Sequence, residues 1–580
     1  MKKNIFVQSI KYLDTILDTK QKTIAYSLLV IMFIGMTFEI LLLNNLMILL
    51  NYLTNSNIDA PKIVSFFESY LNFGNTSILV LIIFILTFLM KTISNIIVKW
   101  KESKFLYQSK AQISEKLFIG YLKLPFIYHQ RTNSAQIIRN ITLEIEQFSI
   151  FLFSISKLIL EVIVLAGISV YLIFFNFALS ITCITLFILF GYFFNYFNKK
   201  KLGLMGSNRL THQNQRMKNL IEGISGVRDL KLSARYENLI KNFTYHNNSI
   251  ANISISTSLR NAFSKPALEI FMLILLSISL FYLIFNNLLS ASIIPIIGIY
   301  LAAAYRLVPS IAMIVQSIQL IQFNIKSVKN LKDDIEKFKL SQIENKHTKE
   351  EIIFNHKINL KNLYFSYNPE EGNSKSNLFN DVDLEIRKGD FVGIQGESGS
   401  GKSTLLDLLI GLQTPTNGEI TVDGISIKKN IESWQNLIGC VPQEVFISDD
   451  TLKKNIAFGL TEENISEEKI SKSLQFSNLK IFSENLEKGI NTVIGEKGSR
   501  ISGGQKQRIG IARAIYNDPE IIIFDEATSS LDIETENKII DEINLLKRNK
   551  TIIIVSHKDS LFKNCDYIYK LANKKIIKIK

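Results

Sequence analysis

Cysteine is scarce in this chain. Three occur among 580 residues, Cys183, Cys440 and Cys565, far apart and at no metal-ligand spacing. That excludes a disulfide framework and a zinc cluster. The opening stretch "MKKNIFVQSIKYLDTILDTKQK" has no apolar core followed by a cleavage site, so no cleaved signal peptide is expected. Positive charge is also missing from particular places. The connection between the first two apolar runs holds only Lys62, and the short turns "FFNFA" and "NNLLSA" hold no Lys or Arg.

What is present is two kinds of material. The chain exceeds one ordinary domain, and it combines a net charge of +14 with a mean hydropathy of +0.18. Its first half carries six apolar runs, near 23–50, 77–98, 149–174, 177–197, 266–287 and 291–320. Runs of about 20 apolar residues are long enough to cross a bilayer as helices. The segments after the second and fourth runs are rich in Lys and Arg. Cytoplasmic loops carry that excess, which places both termini and both long loops inside the cell. The basic charge therefore needs no nucleic acid as a partner. Each long loop contains a helix break, "KLPFIYHQRTNS" at 123–134 and "EGISGVRDLKL" at 222–232. The stretch 61–71 reads as a short interfacial helix or an ordered loop. The composition, rich in Ile, Asn and Lys, is that of an AT-rich bacterial genome. The expected organisation is a membrane domain over 1–339, a polar linker over 340–351 and a second domain over 352–580.

The second half is built around phosphate. "DFVGIQG" (390–396) reads as a strand and "KSTLLDLLIGL" (402–412) as a helix. Between them Gly396, Glu397, Ser398, Gly399, Ser400, Gly401, Lys402, Ser403 and Thr404 form a Gly-rich loop entering a helix. Backbone N–H groups of such a loop cradle phosphate oxygens, and the helix N-terminus favours negative charge. Lys402 is placed for the β- and γ-phosphates, and Ser403 for Mg²⁺. "EIIIFDEATSSLD" (520–532) reads as a buried strand ending in Asp525, a magnesium-site carboxylate, followed by Glu526 as general base. "ISGGQKQR" (501–508) sets Ser502, Gly503, Gly504 and Gln505 at a helix start, a second phosphate-binding surface. "TIIIVSH" (551–557) is a further buried strand, ending in His557.

These motifs, in this order, resemble the ABC ATPase family over roughly 350–580. The resemblance implies ATP and Mg²⁺ as cofactors, with Tyr367 stacking on adenine, Gln443 as a metal and catalytic-site residue, Asp532 in the loop after the Walker B strand, and His557 near the γ-phosphate. "GEKG" (495–498) is similar to the loop before the family's signature motif. Ile501 departs from the family, which usually has Leu there. In this family one chain's P-loop is covered by its partner's signature, so one P-loop and one "ISGGQ" imply a homodimer.

Six spans ahead of one ATPase resemble an exporter-type half-transporter, and its coupling helices match 123–134 and 222–232. The fold implied is a membrane α-helical domain with six transmembrane helices fused to an α/β P-loop ATPase, in a bacterial inner membrane. Patches such as "YRLVPS" (305–310) are similar to lipid-linked oligosaccharide flippases. Lys91, Lys265 and Arg306 fall where those proteins have basic residues, while Met313 stands at a further such position. The resemblance implies a cationic cavity for a polyprenyl-pyrophosphate head group. Charges within spans are costly, and structural pairing also explains them, Lys157 with Glu161 and Lys91 with Glu39. A peptide, lipid or drug exporter has the same architecture. A gated channel or regulatory ATPase is disfavoured by the intact Glu526 and His557.

Overall fold

The computed structural model describes residues 5–53, 76–175, 177–285, 294–344, 350–367, 377–495, 498–528 and 532–580. The stretch 61–71, the turns at Asn176 and 286–291, and parts of the linker and of "GEKG" lie outside them. The chain divides into two compact units, residues 1–124 with 129–341 and residues 342–580 with 125–128.

Among its described residues the first unit consists of helices joined by short turns, with no strand. After a short helix, Ile5–Ile16, come six long ones: Thr19–Leu53, Thr76–Leu122, Ile145–Phe175, Phe177–Ser225, Glu237–Phe285 and Ile294–Glu344. All six carry a stretch long and apolar enough to span a membrane. Many of their large apolar side chains, among them Val30, Phe33, Leu86 and Phe88, are exposed. That is the surface expected of helices that meet lipid rather than water. The second, fourth, fifth and sixth helices have 47, 49, 49 and 51 residues. At a rise of 1.5 Å per residue each is more than twice the roughly 30 Å hydrocarbon thickness. Their polar ends therefore continue well beyond the bilayer.

Those extensions are fastened by buried polar groups. The third span begins early, because Asn133 caps a helix at Ser134–Arg139 that runs through a π-turn, Asn140–Glu144, into Ile145–Phe175. Asn140 Nδ2 donates to Asp334 Oδ2 at 3.0 Å and to the Tyr121 hydroxyl at 2.8 Å, and that hydroxyl donates to Asp334 at 2.6 Å. Arg209, 4% exposed, donates to Asn324 and Ser327 of the sixth helix. Close backbone contact makes this possible: a Cβ on Gly206 would lie 2.1 Å from the Phe323 carbonyl oxygen. The sixth helix runs to Glu344, past the expected domain end at 339. Short helices Phe126–Arg131 and Val227–Ser233 fall at the two sequence breaks.

In the second unit, β1 (Lys357–Phe365), β2 (Phe379–Arg387), β4 (Asn417–Val422) and β5 (Ile425–Ser426) form an antiparallel sheet in the order β2-β1-β4-β5. The larger sheet contains β3 (Phe391–Gly396), β6 (Ile438–Val441), β7 (Ile521–Asp525), β8 (Thr551–Val555), β9 (Tyr567–Ala572) and β10 (Lys575–Lys578), in the order β10-β9-β3-β8-β7-β6. All its neighbours are parallel except β9 and β10. Strands buried on both faces read as continuous apolar runs, and all five residues of "TIIIV" in β8 are buried. Parallel strands share one carboxyl edge. That edge brings Gly396, Val441, Asp525 and Val555 to one side of the sheet, where ligands of open α/β folds bind.

Candidate functional site

The P-loop, Gln443, Asp525, Glu526 and His557 each lie at or just after one of these strand ends. β3 turns through residues 397–401 into the helix Lys402–Ile410. Gly399 and Gly401 have φ of +79° and +102°, a backbone region that glycine enters without steric cost. Gly401 has a second constraint, since a Cβ there would meet the Phe379 ring at 3.0 Å. Lys402 is 7% exposed, and its Nζ donates to the carbonyls of Gly396 and Glu397, both at 2.9 Å. The loop thus wraps its own lysine, holding a buried cation at the helix N-terminus. Ser400 Oγ is buried with no hydrogen-bond partner among the described residues. An orphaned hydroxyl beside backbone N–H groups and a lysine fits a phosphate.

Asp525 ends β7, and its hydrogen bond from Ser403 joins the two candidate metal residues. Burial, with the neighbouring Glu526, pushes its carboxyl up, while Ser403 and Lys402 pull it down. A carboxylate with an adjacent hydroxyl is a hard oxygen donor pair, which fits Mg²⁺. Asp407, on the P-loop helix, is pushed up to about 6 by burial and by Asp525. Cys440, on β6, is pushed up to about 12 by burial, with Asp525 and Asp407 adding to it, so it stays a thiol.

Glu526 has a positive φ of 50°. Its N–H bonds to the Val555 carbonyl at 3.0 Å, which pins the strained residue to β8. Its carboxylate is held from two sides. Gln443 Nε2 donates to Oε2 at 2.8 Å, and His557 Nε2 lies 3.1 Å from Oε1. Gln507 Nε2 donates to its backbone oxygen at 3.2 Å. The sequence resemblance placed Gln443 both at the metal and in the catalytic site. The structure gives its Nε2 to Glu526, which leaves the amide oxygen free to face a metal. Gln507 and Asp407 were missed; only their positions, inside the signature helix and one turn into the P-loop helix, pointed to them.

Tyr367 is 39% exposed and bonds through its hydroxyl to Thr404 Oγ1 at 2.8 Å. Its ring stands edge-on to Phe365 at 5.0 Å. Ser502 caps the helix Gly503–Ile515 through a capping box with Gln505. The N–H groups of Gly503 and Gly504 stand in the first turn of that helix, whose amides lack intrahelical acceptors. Asp532 likewise caps the helix Ile533–Leu546, accepting from the Thr535 N–H at 3.0 Å. The structure therefore assembles the P-loop, Gln443, Asp525, Glu526 and His557 on one sheet edge, and Tyr367, just after β1 of the other sheet, reaches the P-loop helix through Thr404. The signature residues 502–505 form a separate capped helix start.

The three membrane cations all have carboxylate partners. Lys91 pairs with Glu39 at 3.0 Å. Arg306 pairs with Glu39 at 3.1 Å and with Glu161 at 3.4 Å, and Ser310 Oγ donates to Glu161 at 2.8 Å. Lys265 pairs with Glu269 at 3.6 Å on an exposed helix face. The expected Lys157–Glu161 pair does not form. Glu161 turns to Arg306, and Lys157 Nζ lies 5.9 Å from the Phe153 ring centroid. The Arg306 guanidinium reaches Glu39 through Nε and Glu161 through a terminal N–H, so one cation joins both carboxylates.

Comparison with known proteins agrees with this geometry. Residues 379–529 match the family model described as ABC transporter. The chain is 40% identical over 223 residues to ABC transporter B family member 21 of Arabidopsis thaliana, covering 38% of this chain and 17% of that protein. It is 39% identical over 221 residues to the leukotoxin translocation ATP-binding protein LktB of Mannheimia glucosida, covering 38% of this chain and 30% of that one. These matches thus span less than a third of either relative. The solved structure of a bacterial Atm1-family ABC exporter with ATP bound aligns over 96% of this chain and 95% of its own, with a TM-score of 0.78 at 18% identity. The fold is that of an exporter-type ABC transporter: six membrane-type helices fused to an ABC ATPase domain.

Proposed function

We propose that this chain is one half of an ATP-driven exporter of the ABC type, acting as a homodimer in a bacterial cytoplasmic membrane with its ATPase domain and both termini inside. The observation that carries the proposal is the grip of Gln443 and His557 on the Glu526 carboxylate. A general base must be oriented as well as present, and here two donors fix its rotamer beside the magnesium-site Asp525.

In the catalytic cycle Lys402 and the loop amides hold the β- and γ-phosphates, and Tyr367 packs on the adenine. Ser403, Asp525 and the Gln443 amide oxygen hold Mg²⁺, which neutralises phosphate charge when bound. Glu526 orients the attacking water and accepts its proton, and His557 keeps the carboxylate in place. Residues 502–505 of the partner subunit complete the phosphate shell through their helix N-terminus. The short helices at 126–131 and 227–233 serve as coupling helices.

For the cargo, the ion pairs favour a peptide, lipid or drug over a strongly anionic head group. Glu39, Glu161, Lys91 and Arg306 sum to zero charge, so they present no net cationic field. The name of the LktB relative, which concerns translocation of a leukotoxin, points the same way. A polyprenyl-pyrophosphate-linked oligosaccharide is the second reading, favoured by the forked donors of Arg306, which suit phosphate. It requires the pyrophosphate to displace Glu39 and Glu161. Flipping of a labelled lipid-linked glycan by the unaltered protein in proteoliposomes discriminates: it is expected under the second reading and absent under the first.

The dimer is tested by complementation. Chains carrying Lys402→Ala and chains carrying Gly503→Asp are each inactive alone. Co-assembled, they regain one intact composite site and part of the ATPase activity. Absence of any recovery in verified mixed dimers contradicts the shared site.

A further inference from the structure

The N-terminal helix Ile5–Ile16 turns apolar side chains outward. Phe6, Val7 and Ile10 are 37%, 63% and 67% exposed, whereas Ser9 is buried. A helix with an outward apolar face at the start of a span is suited to lie in the bilayer interface. Beside it is a cavity of about 250 Å³. Its walls include Leu13 from this helix, Leu29 and Met32 from the first span, Phe105 from the second helix, and Leu152 and Ile159 from the third. Asp14 and Lys22 also line it, paired at 2.5 Å, with side chains 71% and 32% exposed.

We propose that this cavity binds one acyl chain of a phospholipid from the leaflet at the amino end of the first span, with a zwitterionic head group held by Asp14 and Lys22. Apolar walls offer water no hydrogen bonds, so the suitable occupant is a hydrocarbon. The direction also fits. Lys22 and Met32 are ten helical residues apart, about 15 Å along a span axis, so the cavity runs inward from the interface as a lipid chain does. The charges choose the head group. An ammonium pairs with Asp14 and a phosphate with Lys22, so a zwitterion replaces one ion pair with two. A purely anionic head group sets its phosphate beside the Asp14 carboxylate. This site is distinct from the ATP site and from the Glu39–Arg306 cluster, and it does not depend on which cargo is moved.

The test uses the full-length protein in detergent with dioleoyl phosphatidylethanolamine carrying a diazirine in its acyl chain. Photolabelling is expected on the peptides holding Leu29, Phe105, Leu152 and Ile159, and unlabelled lipid should compete saturably. Labelling confined to lipid-facing residues such as Phe33 and Ile85 overturns the proposal. Leu29→Trp, which fills the cavity, should reduce the competed labelling at least tenfold while ATP hydrolysis persists. Ile159→Phe, from the opposite wall, provides the same reading if Leu29→Trp does not fold. Competed labelling unchanged in the folded variant overturns the proposal. Phosphatidylethanolamine should compete several-fold better than phosphatidylglycerol. Equal competition overturns the head-group assignment.

Discussion

His557 Nε2 stands 3.1 Å from Glu526 Oε1, across the ends of neighbouring parallel strands β8 and β7. Gln443, beyond β6, reaches the other carboxylate oxygen. The strands on either side of β7 thus contribute one residue each to fixing the side chain that follows it. His557→Ala removes one of the two restraints and should lower kcat by about 10²-fold or more, within the range of general-base effects. Nucleotide affinity should change little, because the histidine touches Glu526 rather than the P-loop. Phosphate release and equilibrium nucleotide binding on the same preparation separate the two.

Lys402→Ala should act differently. It removes a buried ammonium that lies among loop carbonyls. Hydrogen bonds to charged groups are each worth about 1.5–3 kcal/mol, so nucleotide affinity should fall about 10- to 100-fold, and hydrolysis with it. Titration with a fluorescent ATP analogue measures this. Unchanged affinity would remove the P-loop lysine from the site.

The membrane ion cluster predicts an asymmetry. Glu39 and Glu161 are 4% and 5% exposed. Arg306→Gln leaves them without their shared partner, and breaking such a buried pair costs about 3–5 kcal/mol. Adding Glu161→Gln to that variant should recover much of the loss, because Glu39 keeps Lys91 as its partner and the uncompensated charge goes with Glu161. Lys265→Gln, on an exposed pair, should cost below about 1 kcal/mol. Thermal unfolding in detergent ranks the variants. Equal effects for Arg306 and Lys265 would contradict the structural role of the cluster.

Gly206→Ala probes the helix crossing. The added Cβ would lie 2.1 Å from the Phe323 carbonyl oxygen, so backbone has to move. Overpacking of this kind costs about 1–3 kcal/mol. Gly203→Ala, which meets nothing within 4 Å, is the control and should be neutral or slightly stabilising, as alanine favours a helix. A lower Tm for the first alone is the expected outcome.

The P-loop, the Walker B strand and the strand before His557 were legible because glycine spacing and short apolar runs are local signals. The six spans were legible from length and hydropathy. Their ends were less so: the third span starts through Ser134–Arg139 and a π-turn, fixed by contacts of Asn140 with Tyr121 and Asp334 far along the chain. The partner of Glu161 was unreadable for the same reason. A spacing of four residues pointed to Lys157, whereas Arg306 lies 145 residues away. The hydrogen bond by which Gln443 holds Glu526 needed the order of β6, β7 and β8 in the sheet.

The most direct test of the account is ATP hydrolysis by the purified full-length protein in lipid bilayers, with Glu526→Gln beside it. The account predicts Mg²⁺-dependent phosphate release by the unaltered protein. It also predicts a fall of at least about 10²-fold in the variant, with nucleotide still bound. Hydrolysis that survives in Glu526→Gln, or none in a folded unaltered protein, would contradict it.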